Sequence, residues 1–528
     1  MTMGKNYRKF IYLFSLSLFV CSISTIITAH DDETLITNVL IVDGTGSEPY
    51  SGSLLIQGDV IASIFQGSTN DFNHDHLVDG MGMLLAPGFI DSHSHFDSGI
   101  MSKPHAKAAI TQGITTIIRG MDGFSSSPDS FDEIVYGGHL SVETFNHLMK
   151  GSPTAVNIAS FSSHNSIRSQ VMQDDFRREA TSAEIEEMSQ LIQSDMKSGA
   201  LGLSTGLEYD PGIYSSTDEV ITLAKVAAKY GGKYKSHIRS EDRYFWDAIR
   251  EIIEIAEKAD ISVNIDHLKL AAISLWGMDK DLLSILNSAR KKGIDVTADI
   301  YPYTAWQSTI TVLYPDKNFD DPDEAKYILE NISSPDDILF VAHKIHPEYI
   351  NKTLRQIASE NSKTPEEMLS IIAKESFELS KGASAIESII GKSMNEKDVL
   401  ALLNWEYSNV TTDGGLECLH PRGCGSFTKV IYDHIGNKGL GSIERVIYKM
   451  TGLTAKSLGI QKRGEIKVGS YADLILFDPD QVQDNSTFEQ PNQLSDGIHS
   501  VWVNGKRVLE NGELTGSLPG KIILKEGN

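Results

Sequence analysis

The chain has 528 residues, 40% hydrophobic and 22% charged, with a formal net charge of −24. Ordinary apolar content at this length predicts two or three packed domains of a globular protein, and the acidic balance argues against nucleic acid or an anionic membrane surface as a partner. Three cysteines are too few for a disulfide framework.

At the N-terminus Lys5, Arg8 and Lys9 precede a mostly apolar run from Phe10 to Ile27, and Ile27-Thr28-Ala29 offers a cleavage site before His30. This is the pattern of a secretory signal over residues 1–29. It predicts an exported protein, periplasmic or extracellular, with no stable membrane partner after signal removal. The competing reading is an uncleaved anchor helix, since the run approaches spanning length but carries several Ser and Thr. Export permits Cys418 and Cys424 to pair; their spacing alone does not require it.

Residues 30–87 read as β-rich. Val39-Leu40-Ile41-Val42 runs into the turn Asp43-Gly44-Thr45-Gly46, and Ser53 to Ile61 reads as a hairpin around Gly58-Asp59. Residues 461–528 repeat the texture: Ala472–Phe477 is a strand, and Ser500–Leu509 is a hairpin with an Asn504-Gly505 turn. The two ends together predict one small β-sandwich domain. Between them, residues 88–460 alternate short apolar strands with helical stretches, the signature of βαβ units. Strands are expected at Gly88–His95, Thr115–Arg119, Ala155–Ser160, Leu201–Ser204, Lys233–His237, Ser262–His267, Asp295–Asp299 and Asn409–Asp413. Eight strands with intervening helices fit an α/β fold, a (β/α)8 TIM-like barrel. An insert at about 310–405, with a helix at Pro365–Lys374, is too long for a bare loop and reads as a lid or subdomain.

Polar residues recur where these strands end. His93 and His95 share a face of the first strand because alternate side chains do, and two imidazoles there can hold a divalent metal. The spacing alone is weak: His74-Asp75-His76 repeats it in a polar, turn-like stretch that reads as surface. The set carries the weight. Asp122 follows the second strand, His164 the third and Glu208 the fourth; His237, His267 and Asp413 end the fifth, sixth and eighth. Barrel strands converge at their C-terminal ends, where active sites are built. Imidazole mixed with carboxylate suits Zn2+, with manganese, iron or nickel as alternatives. Four His, Asp413 and a bridging acid suffice for one or two ions. An ion pair there would bring a bridging water near neutral pKa, and Asp413 could move its proton.

These motifs resemble the amidohydrolase superfamily and, within it, the N-acyl-D-amino-acid deacylases. The resemblance rests on Pro87-Gly88-Phe89-Ile90-Asp91-Ser92-His93-Ser94-His95, Gln112-Gly113-Ile114-Thr115-Thr116, the Gly199–Tyr209 segment, Thr297–Ala305, His420-Pro421-Arg422-Gly423 and Arg463–Leu474. It implies that His93 and His95 bind one metal and His237 and His267 the other. It implies further that Asp413 is a ligand and general base, that His164 sits near the scissile carbonyl, and that Lys269, Tyr301 and Arg422 hold the substrate carboxylate. The implied activity is hydrolysis of the amide of a small acylated D-amino acid, catalysed by a metal-dependent D-aminoacylase. Two alternatives stand beside it: a dipeptidase for dipeptides with a C-terminal D-residue, and a cyclic-amide hydrolase of the hydantoinase or dihydroorotase type. The cyclic-amide enzymes typically carry a carboxylated lysine on the fourth strand, which has no Lys here.

One position departs from the pattern. Many members place a metal-bridging Cys after the second strand, and the matching Gly120-Met121-Asp122-Gly123-Phe124 has Asp122. A carboxylate must replace the thiolate. Glu208 is the expected bridge, with Asp122 as alternative ligand or supporting residue.

Overall fold

A strand whose residues are buried without alternation must be covered on both faces, which favours a parallel sheet wrapped in helices. The strand Ile114–Arg119 is of this kind, and all six of its residues are buried. The computed structural model describes residues 33–67, 76–129, 139–380, 385–435 and 439–525. The expected signal segment, and His74 of the second histidine pair, lie outside them; His76 is exposed. Among the described residues no helix is long and apolar enough to cross a membrane.

Eight parallel barrel strands follow in order: Phe89–Asp91, Ile114–Arg119, Asn157–Ser160, Gly202–Gly206, Lys233–His237, Val263–Ile265, Val296–Ile300 and Ser408–Val410. The eighth closes on the first through backbone bonds from Asp413 N to His93 O and from His95 N to Gly414 O, both 2.9 Å. Helices cover the outside with apolar faces at three- and four-residue spacing. Helix Phe245–Ala259, for example, buries Phe245, Ala248, Ile249, Ile252, Ile255, Ala256 and Ala259. The barrel is less regular between its third and fourth strands, where the C-terminal strand Ile522–Ile523 pairs in parallel with Ile158 and Ala159. Residues 461–528 therefore do not all return to the β-domain. A two-residue strand gives no periodic signal, so this pairing was invisible in the sequence.

Strands from both ends of the chain form one nine-stranded sheet. Leu84–Pro87 joins the N-terminal strand Glu33–Ile41 on one side and Leu474–Phe477 on the other. The sheet curls until Val60 bridges Tyr471, enclosing Ile36, Leu54, Leu85, Leu474 and Trp502. The Asn504-Gly505 turn has φ values of 47° and 77°, as a two-residue hairpin connection requires. A Cβ on Gly505 would lie 2.0 Å from the Gly58 carbonyl oxygen, so only glycine fits where this turn meets the other hairpin.

Asp473 fastens this domain to the barrel. It accepts bonds from Asn504 N at 2.7 Å and from Asn157 Nδ2 of the third barrel strand at 3.0 Å, and it pairs with buried Arg463. Replacing Asp473 with Ala leaves a buried guanidinium without its counter-charge. We expect a loss of about 3–5 kcal/mol, read as the shift in a urea unfolding curve; a change below 1 kcal/mol would contradict this role.

The insert between the seventh and eighth strands is a subdomain of its own. Ala305–Ser308, Glu387–Lys392 and Ile338–His343 form an antiparallel sheet, with helices Pro322–Asn331, Leu354–Glu360 and Pro365–Leu379 packed around it. Its first strand precedes residue 310. Only Tyr301-Pro302-Tyr303-Thr304 separates that strand from the seventh barrel strand, and so short a connection did not mark where the insert begins.

Candidate metal centre

Left-handed backbone positions shape the mouth of the barrel. Gly120, Asp122 and Gly123 have φ of 81°, 53° and 72°. Asp tolerates this region where most side chains do not. The turn carries Asp122 over the strand ends, pinned by the bond from Gly123 N to Ser204 Oγ at 3.1 Å. Asp122 Oδ1 lies 3.5 Å from His93 Nε2, 3.3 Å from His267 Nε2 and 3.9 Å from His237 Nδ1, while its Oδ2 lies 3.4 Å from His95 Nε2. Asp413 Oδ1 is 3.5 Å from His93 Nε2 and 3.4 Å from His95 Nε2.

These separations fit a cation. Ligands at about 2.0–2.1 Å around a tetrahedral ion stand about 3.3–3.4 Å apart, longer than the 2.7–2.9 Å usual for a charge-assisted hydrogen bond. One donor atom from each of His93, Asp122, His267 and Asp413 falls within 4.8 Å of all the others. His93 is fully buried, and neither of its ring nitrogens makes a hydrogen bond. Its Nδ1 faces Asp266 Oδ2 at 3.3 Å, the carboxylate backing that orients a metal-binding imidazole. Of two further trios of possible donors, His237 with Glu241 and His267 lies at the same mouth, while His93 with Asp266 and Asp299 is not a comparable site, because Lys235 Nζ already supplies the cation at 2.6 Å from both acids.

His93, His95, Asp122, His237, His267 and Asp413 are thus brought together. Glu208 is not between them. It reaches His237 through Nε2 at 2.8 Å, on the ring edge opposite the Nδ1 that faces His267. Asp122 occupies the place expected of Glu208, because the turn after the second strand projects over the axis and the fourth strand end does not. His164 is also displaced. It begins the helix His164–Met172, is fully buried, and sets Nε2 3.0 Å from Glu219; it lines neither cavity at the barrel mouth. The two residues that follow Ser162-Ser163 turn into a helix, so its side chain points into the barrel wall.

The cationic residues do converge. Arg422 Nη1 lies 2.6 Å from Asp413 Oδ2, and its Cζ stands 4.8 Å over the Tyr301 ring. Lys269 Nζ is 5.7 Å from that ring centre and 2.8 Å from His267 Nδ1. The sequence reading missed Glu241, whose Oε1 lies 2.9 Å from His267 Nδ1 and 2.5 Å from Lys269 Nζ. Loop acids have no periodicity to betray them; its one signal was its position four residues beyond His237. The sequence left the pairing of Cys418 and Cys424 open; they form a disulfide beside the cavity.

Burial would raise the Asp122 and Asp413 carboxyls. The clustered histidines override it at Asp122, and Arg422 with the histidines overrides it at Asp413, so both acids stay well below the ordinary range. Glu208 goes the other way: burial raises it, and His237 offsets only part. In the ion-free protein, burial opposes charge on His95, but Asp122 and Asp413 raise it to about 9. Burial and Lys269 oppose charge on His267, and Glu241, Asp413 and Asp122 still raise it to about 9. Protons therefore compete with a cation for these nitrogens. We expect zinc affinity to climb steadily from pH 6 to about pH 9 and then level off, measured by chelator competition at fixed ionic strength. Without ion the sign for stability is opposite. Raised histidine values stabilise the fold below 6.5 and lose that contribution as pH passes about 9.

Two cavities meet here. A cavity of about 460 Å³ runs from His95, Asp122 and Asp413 to Val312, Phe377 and Glu387 of the insert. A narrower one adjoins Lys269 and Arg422; Glu208, Glu241 and Asp242 line it on one side, and Ala271, Trp306, Val312, Leu313 and Ile332 complete its walls.

The amidohydrolase family model matches residues 84–508, and this chain belongs to the amidohydrolase family. It is similar to the D-aminoacylase of Alcaligenes xylosoxydans xylosoxydans, with 31% identity over 508 residues covering 93% of this chain and 98% of that protein. It is 32% identical over 506 residues to the N-acyl-D-aspartate deacylase of the same organism, covering 93% and 94% of the two chains. The solved structure of N-acyl-D-glutamate deacylase from Bordetella bronchiseptica, complexed with zinc and a phosphonate mimic of the tetrahedral intermediate, matches with a TM-score of 0.81 and 28% identity over 93% of this chain and 99% of that one.

Proposed function

We propose that the protein is a zinc-dependent hydrolase of N-acyl-D-amino acids whose D-residue carries an apolar side chain. The observation that carries this reading is the placement of a carboxylate clamp, Lys269, Arg422 and Tyr301, directly against a cation-fitting cluster of four histidines and two aspartates. Similarity to deacylases of D-amino acids supports the substrate class.

In this reading His93 and His95 form one half-site, His237 and His267 the other, and Asp122 is shared between them. Bound zinc supplies Lewis acidity toward the amide carbonyl and acidifies water. The chain's own residues do the rest. Lys269 and the planar fork of Arg422 take the substrate carboxylate. Arg422 then shifts its charge from Asp413 to the substrate, and Asp413 becomes free to accept a proton from the attacking water and deliver it to the leaving nitrogen. The walls of Ala271, Trp306, Val312, Leu313 and Ile332 receive the side chain, and the wide cavity receives the acyl group. We also place the protein outside the cytoplasm, on the basic-then-apolar segment of residues 5–27 and on the Cys418–Cys424 disulfide.

The test offers the zinc-loaded protein N-acetyl-D-leucine, N-acetyl-L-leucine, N-acetyl-D-aspartate and L-alanyl-D-leucine. A second carboxylate in this cavity would meet Glu208, Glu241 and Asp242, which also line it, and like charges repel, so we expect D-leucine to be preferred over D-aspartate by about 10³-fold in kcat/KM. Faster turnover of the L isomer or of the D-aspartate compound overturns the assignment. A dipeptide turned over faster than the acetyl compound would make the enzyme a dipeptidase.

A further inference from the structure

Glu241, Lys269 and the far nitrogen of His267 form a closed triangle. Lys269 Nζ stands 2.5 Å from Glu241 Oε1 and 2.8 Å from His267 Nδ1, and Glu241 Oε1 stands 2.9 Å from that same Nδ1. All three residues are buried. The loop bearing Glu241 is held by the bond from Ala271 N to Glu241 O at 3.1 Å and by Ser240 Oγ to Asp242 Oδ1 at 2.8 Å, so Glu241 cannot easily swing away.

The two contacts at Nδ1 are mutually exclusive in their hydrogen. If Lys269 donates to Nδ1, the ring must carry its hydrogen on Nε2, the nitrogen that faces Asp122 at 3.3 Å and His237 Nδ1 at 3.1 Å. If Nδ1 instead donates to Glu241, Nε2 presents its lone pair to the centre. Only the second arrangement can bind an ion. An imidazole that binds an ion through Nε2 is neutral and keeps its one ring hydrogen on Nδ1, so whatever takes Lys269 away from Nδ1 favours it.

We propose that Glu241 is a positioning residue that links metal occupancy to substrate binding through His267. This rests on the reading of Lys269 as part of the carboxylate clamp. A ligand carboxylate draws Lys269 toward itself and leaves Glu241 as the partner of Nδ1. His267 then turns its lone pair to the metal and binds it more tightly. By linkage the bound metal tightens the carboxylate ligand by the same factor.

The experiment measures zinc affinity by chelator competition for the full-length protein and for Glu241→Gln and Lys269→Met, each with and without saturating D-leucine, the expected product. Gln keeps the shape of Glu241 and removes its charge. We expect Glu241→Gln to lose about 10–100-fold in zinc affinity. We expect Lys269→Met to move in the opposite direction, to the affinity of the wild type with D-leucine, because the competing donor is gone. D-leucine should tighten zinc in the wild type by about fivefold or more and leave both variants unchanged. Opposite signs alone follow from the two charges; a D-leucine effect that is present in the wild type and lost in both variants is what a merely structural or purely electrostatic Glu241 would not give. Unchanged zinc affinity in Glu241→Gln, weaker zinc binding in Lys269→Met, or a D-leucine effect that persists in Glu241→Gln each overturns the proposal. If the zinc-loaded wild type fails to hydrolyse N-acetyl-D-leucine, the substrate reading fails instead, and the zinc affinities of the two variants measured without D-leucine still decide the role of Glu241.

Discussion

Replacing Asp122 with Asn is expected to strip zinc from the protein and lower kcat/KM for N-acetyl-D-leucine by about 10³-fold, the loss of several kcal/mol of Lewis-acid stabilisation. The reasoning is geometric. Asp122 is the residue whose carboxylate approaches both histidine pairs, within 3.5 Å of His93, His95 and His267 and 3.9 Å of His237. The neutral amide of Asn is a poor ligand in their midst. Asn also tolerates the left-handed backbone at this position, where φ is 53°, so the variant should keep its fold. Glu208→Gln provides the contrast. Glu208 orients His237 from behind, and loss of such support costs about 10–100-fold in metal affinity without emptying the site. Metal content after dialysis and steady-state kinetics measure both. An Asp122→Asn protein with full zinc beside a zinc-depleted Glu208→Gln protein would return the bridging role to Glu208.

The second large effect is expected at Asp413. In the proposed mechanism Asp413→Asn removes the group that moves the proton, a loss of about 10²–10⁴-fold in kcat. It also leaves Arg422 buried with its counter-charge gone, since the two meet at 2.6 Å and are 4% and 5% exposed. Breaking such a buried pair costs about 3–5 kcal/mol, so the ion-free variant should unfold at clearly lower urea. Both readouts are needed. A kcat loss with unchanged stability would mean that Arg422 finds another partner, and one acceptor already within reach is the Gln307 carbonyl oxygen, at 3.3 Å.

The barrel was readable because its strands are short apolar runs at regular spacing, each ending in a polar residue that an ordinary surface would not repeat at every strand end. Lys233–His237 begins and ends where the pattern placed it, and the other seven overlap their expected spans. The antiparallel sheet of the insert and the pairing of Ile522 and Ile523 with the barrel were not readable, because neither has a period long enough to stand above composition. Within the site, residues on strand ends were found from the pattern. Glu241, on an irregular loop, was not. The placement of His164 failed for a related reason: a strand end predicts which face of the barrel a residue reaches, but not the turn its backbone takes next.

The sequence by itself determined the chemistry that can occur here, since histidines and aspartates at successive strand ends can meet only at one mouth of a parallel barrel. Which carboxylate stands at the centre was decided only in the tertiary structure. Asp122 and Glu208 are equivalent as residue types and both follow barrel strands. They differ because Gly120, Asp122 and Gly123 adopt positive φ and swing one carboxylate over the barrel axis, while the other stays at the rim against His237. That difference is a property of backbone dihedrals and packing, and no side-chain pattern records it.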